Sequence, residues 1–213
     1  MMTEPDVTLT DYALAIECAA LAYLVYRQGG QQQSLRNWFA LFFGSIGLAA
    51  LTGGTVHGFF LDEESIGYRI LWPATLIASG LAALSTWAVA ACIQFSKVIA
   101  RWISFVAAAE FAGYSVLVLL ITQEFWLAVA NYLPPTIFLL VVFARQYLLG
   151  RESQLLLGTV GLLLTFVAAG VQQGQVALHP LYFNHNALYH LIQAVALLLI
   201  FWAARWLLSS RRR

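Results

Sequence analysis

Long apolar runs broken by short polar segments dominate the chain. Seven of these runs are long enough to cross a bilayer, which takes about 20 apolar residues per helix. They predict helices near 11–27, 37–60, 68–95, 98–122, 124–148, 152–173 and 186–208. None shows the strict alternation of a membrane β-barrel strand. The pattern therefore predicts an all-α fold, a seven-transmembrane helix bundle forming one membrane domain over 1–213. The connecting segments are short, so successive helices are expected to be neighbours in space.

Composition narrows the class. Of the 213 residues, 61% are hydrophobic and only 10% charged, against about 25% charged in a soluble domain. A soluble enzyme, a nucleic-acid binder and a disordered chain are all disfavoured. The formal net charge of +1 offers no attraction to a polyanion. Cys18 and Cys92 sit in apolar runs, so neither a disulfide nor a cysteine metal site is expected. The opening residues are polar and acidic, without the basic start of a signal peptide.

Charge placement predicts orientation. Arg27, Arg36, Lys97, Arg101, Arg145, Arg151, Arg205 and the closing Arg211-Arg212-Arg213 fall on one side, and only Arg69 falls on the other. The positive-inside rule makes the first side cytoplasmic, which puts the N-terminus outside and the C-terminus inside. Glu4, Asp6, Asp11, Asp62, Glu63, Glu64 and Glu124 mark the outer side. Trp38, Trp72, Trp126 and Trp206 near span ends read as an interfacial belt. The bacterial inner membrane is the default location, and the bilayer itself is the first partner.

The histidines carry the candidate chemistry. His57 closes the second span, His179 and His185 precede the seventh, and His190 lies one turn into it. Asn186, His190 and Gln193 share a helix face at i, i+4 and i+7. Gln172 ends the sixth span. Inside other spans lie Glu17, Glu110 and Asn131, the last followed by Pro134-Pro135, which are expected to kink that helix. Polar groups in hydrocarbon tend to face the bundle interior and pair there. Glu17, Asn131, His57 and His190 are expected at similar outer-leaflet depth, able to share one cavity. Imidazoles suit zinc, and a zinc-bound hydroxide attacks carbonyls with a carboxylate as base. His57 and His190 are the first expected ligands, with His185 as third and Asn186 or Glu17 as alternatives. Hydrogen bonding or packing between helices is the competing reading for His57 and His190, and a solvated loop for His179. For Asn184 and His185, capping of the seventh helix competes.

The segments Gly53-Gly54-Thr55-Val56-His57 and Asn186-Ala187-Leu188-Tyr189-His190 resemble motifs of the CREST superfamily of alkaline ceramidases and progestin/adipoQ receptors. That family has seven helices with the N-terminus outside, S-x-x-x-H in the second helix, an Asp in the third and H-x-x-x-H in the seventh. Many members are zinc-dependent lipid amide hydrolases. Here Gly53 stands in place of the serine, Asn186 in place of the first seventh-helix histidine, and the third span has no aspartate. Glu17 is similar to an acid in the first helix of the ceramidase branch. The resemblance implies zinc ligands at His57 and His190; the reading of the residues themselves adds His185 as the third ligand, catalytic roles for Glu17 and Asn186, and polar pocket positions at Asn131, Gln193, Gln172 and Glu110. The substrate would be a lipid-like amide or ester. A non-enzymatic receptor, sensor or structural protein on the same fold is the alternative. A proton-coupled carrier using Glu110 and Glu17 is a third. A serine protease is remote, since Ile77-Ala78-Ser79-Gly80 lacks the first glycine of G-x-S-G.

Overall fold

The computed structural model describes residues 2–29, 32–179 and 183–209. Arg211-Arg212-Arg213 and Pro180 lie outside the described residues. Seven helices follow one another: α1 (Pro5–Arg27), α2 (Gln33–Phe59), α3 (Ile66–Gln94), α4 (Lys97–Leu120), α5 (Phe125–Gly150), α6 (Ser153–Gln173) and α7 (His185–Ser209). All seven are long and apolar enough to cross a membrane. This is an integral membrane architecture. Among the described residues the extended structure is one isolated antiparallel bridge, His179 to Phe183.

Local chemistry sets the ends. Pro5 sits in the first turn of α1, where its missing N–H costs nothing, with Asp6 beside the unpaired N–H groups. α1 therefore starts six residues before the expected 11, which puts Asp11 nearly two turns inside the helix. The Ser65 hydroxyl accepts from the Tyr68 N–H at 3.2 Å and caps α3. Asn184 Oδ1 accepts from the N–H groups of Asn186 and Ala187 at 2.9 and 3.1 Å and caps α7. Between the two capping alternatives, Asn184 takes the role and His185 becomes the first helical residue. α5 continues through Pro134 and Pro135.

Six helices close into a ring in the order α1, α2, α3, α5, α6, α7, with α7 packing back on α1. α4 stands outside and packs on α3. Sequence adjacency predicted α5 beside α4, yet α5 returns to α3. The reason is that α4 has one packed face, Ala100, Ala107, Tyr114 and Val118 at near-heptad spacing. The Tyr114 hydroxyl donates to the Leu76 carbonyl at 3.0 Å, and its ring lies over Gly80, where an added Cβ would come within 2.5 Å of it.

Glycines let α1 and α2 approach closely. A Cβ on Gly47 would meet Cys18 Cβ at 2.9 Å, on Gly54 Asp11 Cβ at 2.6 Å, and on Gly58 Thr8 at 2.9 Å. Small residues at a helix interface permit this contact in a membrane, where lipid gives no hydrophobic drive.

The two halves of the ring fill differently. Toward the predicted cytoplasmic side, Phe39, Phe42, Phe43, Leu139, Phe143, Leu197, Ile200 and Phe201 form a closed core. Phe43 meets Phe201 edge to face at 6.1 Å between centroids. Toward the other side the inward positions include Ala49, Ala50, Gly53, Ala82, Ala128 and Ala169, and a cavity remains.

Candidate functional site

The cavity has a volume of about 360 Å³ and is lined from all six ring helices. Its wall runs from Trp72 to Ala82 on α3 and from Phe125 to Thr136 on α5. At 1.5 Å per residue this is roughly 15 Å, half the bilayer core. His57, Gln172, Gln173 and Asn186 stand toward the helix ends, and Ile46, Leu133 and Phe166 toward the middle. Three hydroxyls on the wall are turned to their own helices, while Thr75 also reaches Thr52 on α2 at 2.8 Å. Thr136 donates to the Tyr132 carbonyl at 2.8 Å, Thr165 to Gly161 at 3.2 Å, and Ser79 to Thr75 at 2.9 Å.

His190 anchors the polar wall. It is 9% exposed, and Asp11 is 4% exposed. His190 Nε2 lies 3.1 Å from Asp11 Oδ1, and Nδ1 lies 3.1 Å from Thr10 Oγ1. Thr10 Oγ1 is also 2.8 Å from the Asp6 carbonyl and 3.0 Å from that of Val7. The single Thr10 proton goes to those carbonyls, so the hydroxyl accepts from His190 Nδ1–H. Nε2 then faces Asp11 across one shared proton, placed on either partner. The pair carries no net charge in either placement, which suits a buried site.

Glu4 Oε2 lies 2.5 Å from His57 Nδ1, and here both side chains are only partly buried. Asp6 Oδ2 accepts from the Asn184 N–H at 3.0 Å. Glu4, just before α1, and Asp6, Thr10 and Asp11 within it thus hold α2, the cap of α7 and α7 itself. Tyr12 and Thr55 add a hydroxyl pair at 3.1 Å between α1 and α2.

His57, His190, Asn186, Gln193 and Gln172 all line the cavity. Four expected positions do not. Glu17, partly buried on α1, stays off the cavity wall, and its Oε1 has no hydrogen-bond partner among the described residues. Asn131 is off the wall too, because Ala128, Val129, Tyr132 and Leu133 take the inward positions of α5. His185 starts α7, five residues before His190 and so about 140° away around a regular helix. Glu110 is exposed on α4, outside the ring. Sequence reasoning missed Asp11, Thr10 and Glu4 as site residues. Pro5-Asp6, a helix-start signal, is the clue that moves Asp11 and Thr10 into the span.

The zinc implied by the resemblance requires three protein donors around one ion. Among the described residues no three His, Cys, Asp or Glu side chains are placed to hold one. The donors pair two by two instead, His57 with Glu4 and His190 with Asp11. Both nitrogens of His190 are already engaged. The residues as placed do not fit the metal.

No curated protein and no solved structure matches the chain. A family model described as "Family of unknown function (DUF6962)" matches residues 7–209, from the first turn of α1 to the end of α7. With nearly its whole length inside that match, the chain belongs to this family.

Proposed function

We propose that this protein is a seven-helix receptor or sensor that binds a lipid-like amphiphile in its central cavity, rather than a metal-dependent hydrolase. The cavity supports this reading: about 360 Å³ lined by all six ring helices, polar toward one end and largely apolar within. Sites of roughly 300–1,000 Å³ with a few convergent polar groups are typical of small-molecule binding. The charge asymmetry of the loops turns the polar end to the outer side. A ligand entering there presents its polar group to Asn186, Gln172 and the Asp11–His190 pair and its apolar part to Ile46, Leu133 and Phe166. Because Asp11–His190 closes the ring between α1 and α7, a ligand that competes for that contact changes how the two helices are held. This is the transmission step.

The test uses a fluorescent long-chain amide and the protein in lipid nanodiscs. Saturable binding of the intact amide is expected, and it is lost in Ala169→Phe, which fills the cavity from α6. Binding that Ala169→Phe leaves unchanged contradicts the reading. Cleavage of the amide favours the hydrolase instead.

A further inference from the structure

Glu110 is the membrane-embedded acid that the cavity does not use. It sits halfway along α4, the one helix outside the ring. The packed face of α4 is Ala100, Ala107, Tyr114 and Val118, all turned to α3. Glu110 is exposed beside that face and has no hydrogen-bond or ion-pair partner among the described residues. Around it, Trp102 is 65%, Val106 63% and Leu117 39% exposed. Gly113, one turn on, has nothing within 4 Å of an added Cβ. A carboxyl held at mid-membrane against acyl chains is costly, and such groups pair with other polar groups. No described residue of the same chain pairs with this one.

We propose that α4 is the contact between two copies of this chain, with the Glu110 carboxyls paired across a two-fold axis. The chemistry selects the occupant. A protonated carboxyl carries one donor and one acceptor, so it is complementary to an identical group facing it. A two-fold contact brings the same patch of both copies together. The open space at Gly113, with Ala109 four residues before it, lets two α4 backbones come close enough for the carboxyls to meet. The position of α4 leaves the ring and its cavity untouched by the contact.

Cysteine cross-linking in native membranes tests this with the full chain. The native Cys18 is buried and Cys92 half-buried, giving a low background. Val106→Cys and Leu117→Cys should each give a disulfide-linked band at twice the 23.5 kDa chain mass. Val167→Cys, exposed on α6, should give none. Adding Glu110→Ala should reduce the linked fraction at least fivefold. Glu110→Gln, whose amide also pairs with its own kind, should keep it. Each variant is checked for a monodisperse elution profile, and one that fails is replaced by Val106→Cys alone or with Glu110→Gln. Absence of linked dimer at both α4 positions overturns the proposal. So does equal linking from Val167→Cys, linking that Glu110→Ala leaves intact, or a linked band of another mass.

Discussion

Asp11 on the first helix and His190 on the last meet through Oδ1 and Nε2 at 3.1 Å, and with Thr10 they form the polar seam that closes the ring. The seam is buried, so removing one partner strands the other. His190→Ala and Asp11→Ala should each lower stability by about 3–5 kcal/mol. The double variant should lose clearly less than the sum, because the second truncation removes a group already unpaired. Thermal unfolding of the four proteins in one detergent measures this cycle, and additive losses would show that the two side chains act independently.

Gly54 sets the distance at which that seam forms. A Cβ there would lie 2.6 Å from Asp11 Cβ, which α1 can relieve only by moving. Gly54→Ala should cost about 1–3 kcal/mol, as overpacking does. Gly44, with nothing within 4 Å, is the control. Gly44→Ala should leave the melting temperature unchanged or slightly raised, since alanine is the better helix former.

Much of this architecture is legible in the sequence, and the site only in part. The apolar runs place seven helices because spanning length is a physical requirement that few residues can violate. His57, His190, Asn186, Gln172 and Gln193 were found through polarity and helical spacing alone, and all face the cavity. Asp11 was read as an outer acid because a polar residue at the edge of an apolar run looks like the loop before it. Its role depends on α1 beginning at Pro5. Glu110 was placed inward by the rule that polar groups in lipid face the bundle, which presumes that every helix belongs to the ring. The recurrence of Ala100, Ala107 and Tyr114 every seven residues marks a helix with one narrow packed face. That spacing is visible in the sequence, but the partner it packs on is not. The pairing of His57 with Glu4 and of His190 with Asp11 needs three-dimensional placement and has no local signature.

The two-by-two pairing of acids with histidines leads to a metal prediction. Protein purified without chelator and then offered zinc should retain well under one equivalent after desalting, and its melting temperature should not rise. Elemental mass spectrometry of the wild type beside His57→Ala and His190→Ala checks this. Stoichiometric zinc in the wild type, lost in both variants, would require the two pairs to rearrange around one ion.

Tyr114 attaches α4 through its bond to the Leu76 carbonyl and its contact with Gly80. Tyr114→Phe should cost about 1 kcal/mol, the usual net worth of one hydrogen bond. Gly80→Ala should cost more, because the added methyl displaces the ring. Neither should change ligand binding, since Tyr114 and Gly80 lie off the cavity wall. Melting curves and the fluorescent-amide titration, run on the same samples, separate the two effects.

The central claim is that the cavity holds an amphiphile. Native mass spectrometry of protein extracted in mild detergent from its own membranes tests it most directly. The account predicts a fraction of molecules carrying one amphiphile that survives delipidation of the surface, and none in Ala169→Phe. A wild-type protein stripped to the bare 23.5 kDa chain under conditions that keep it folded would contradict the claim.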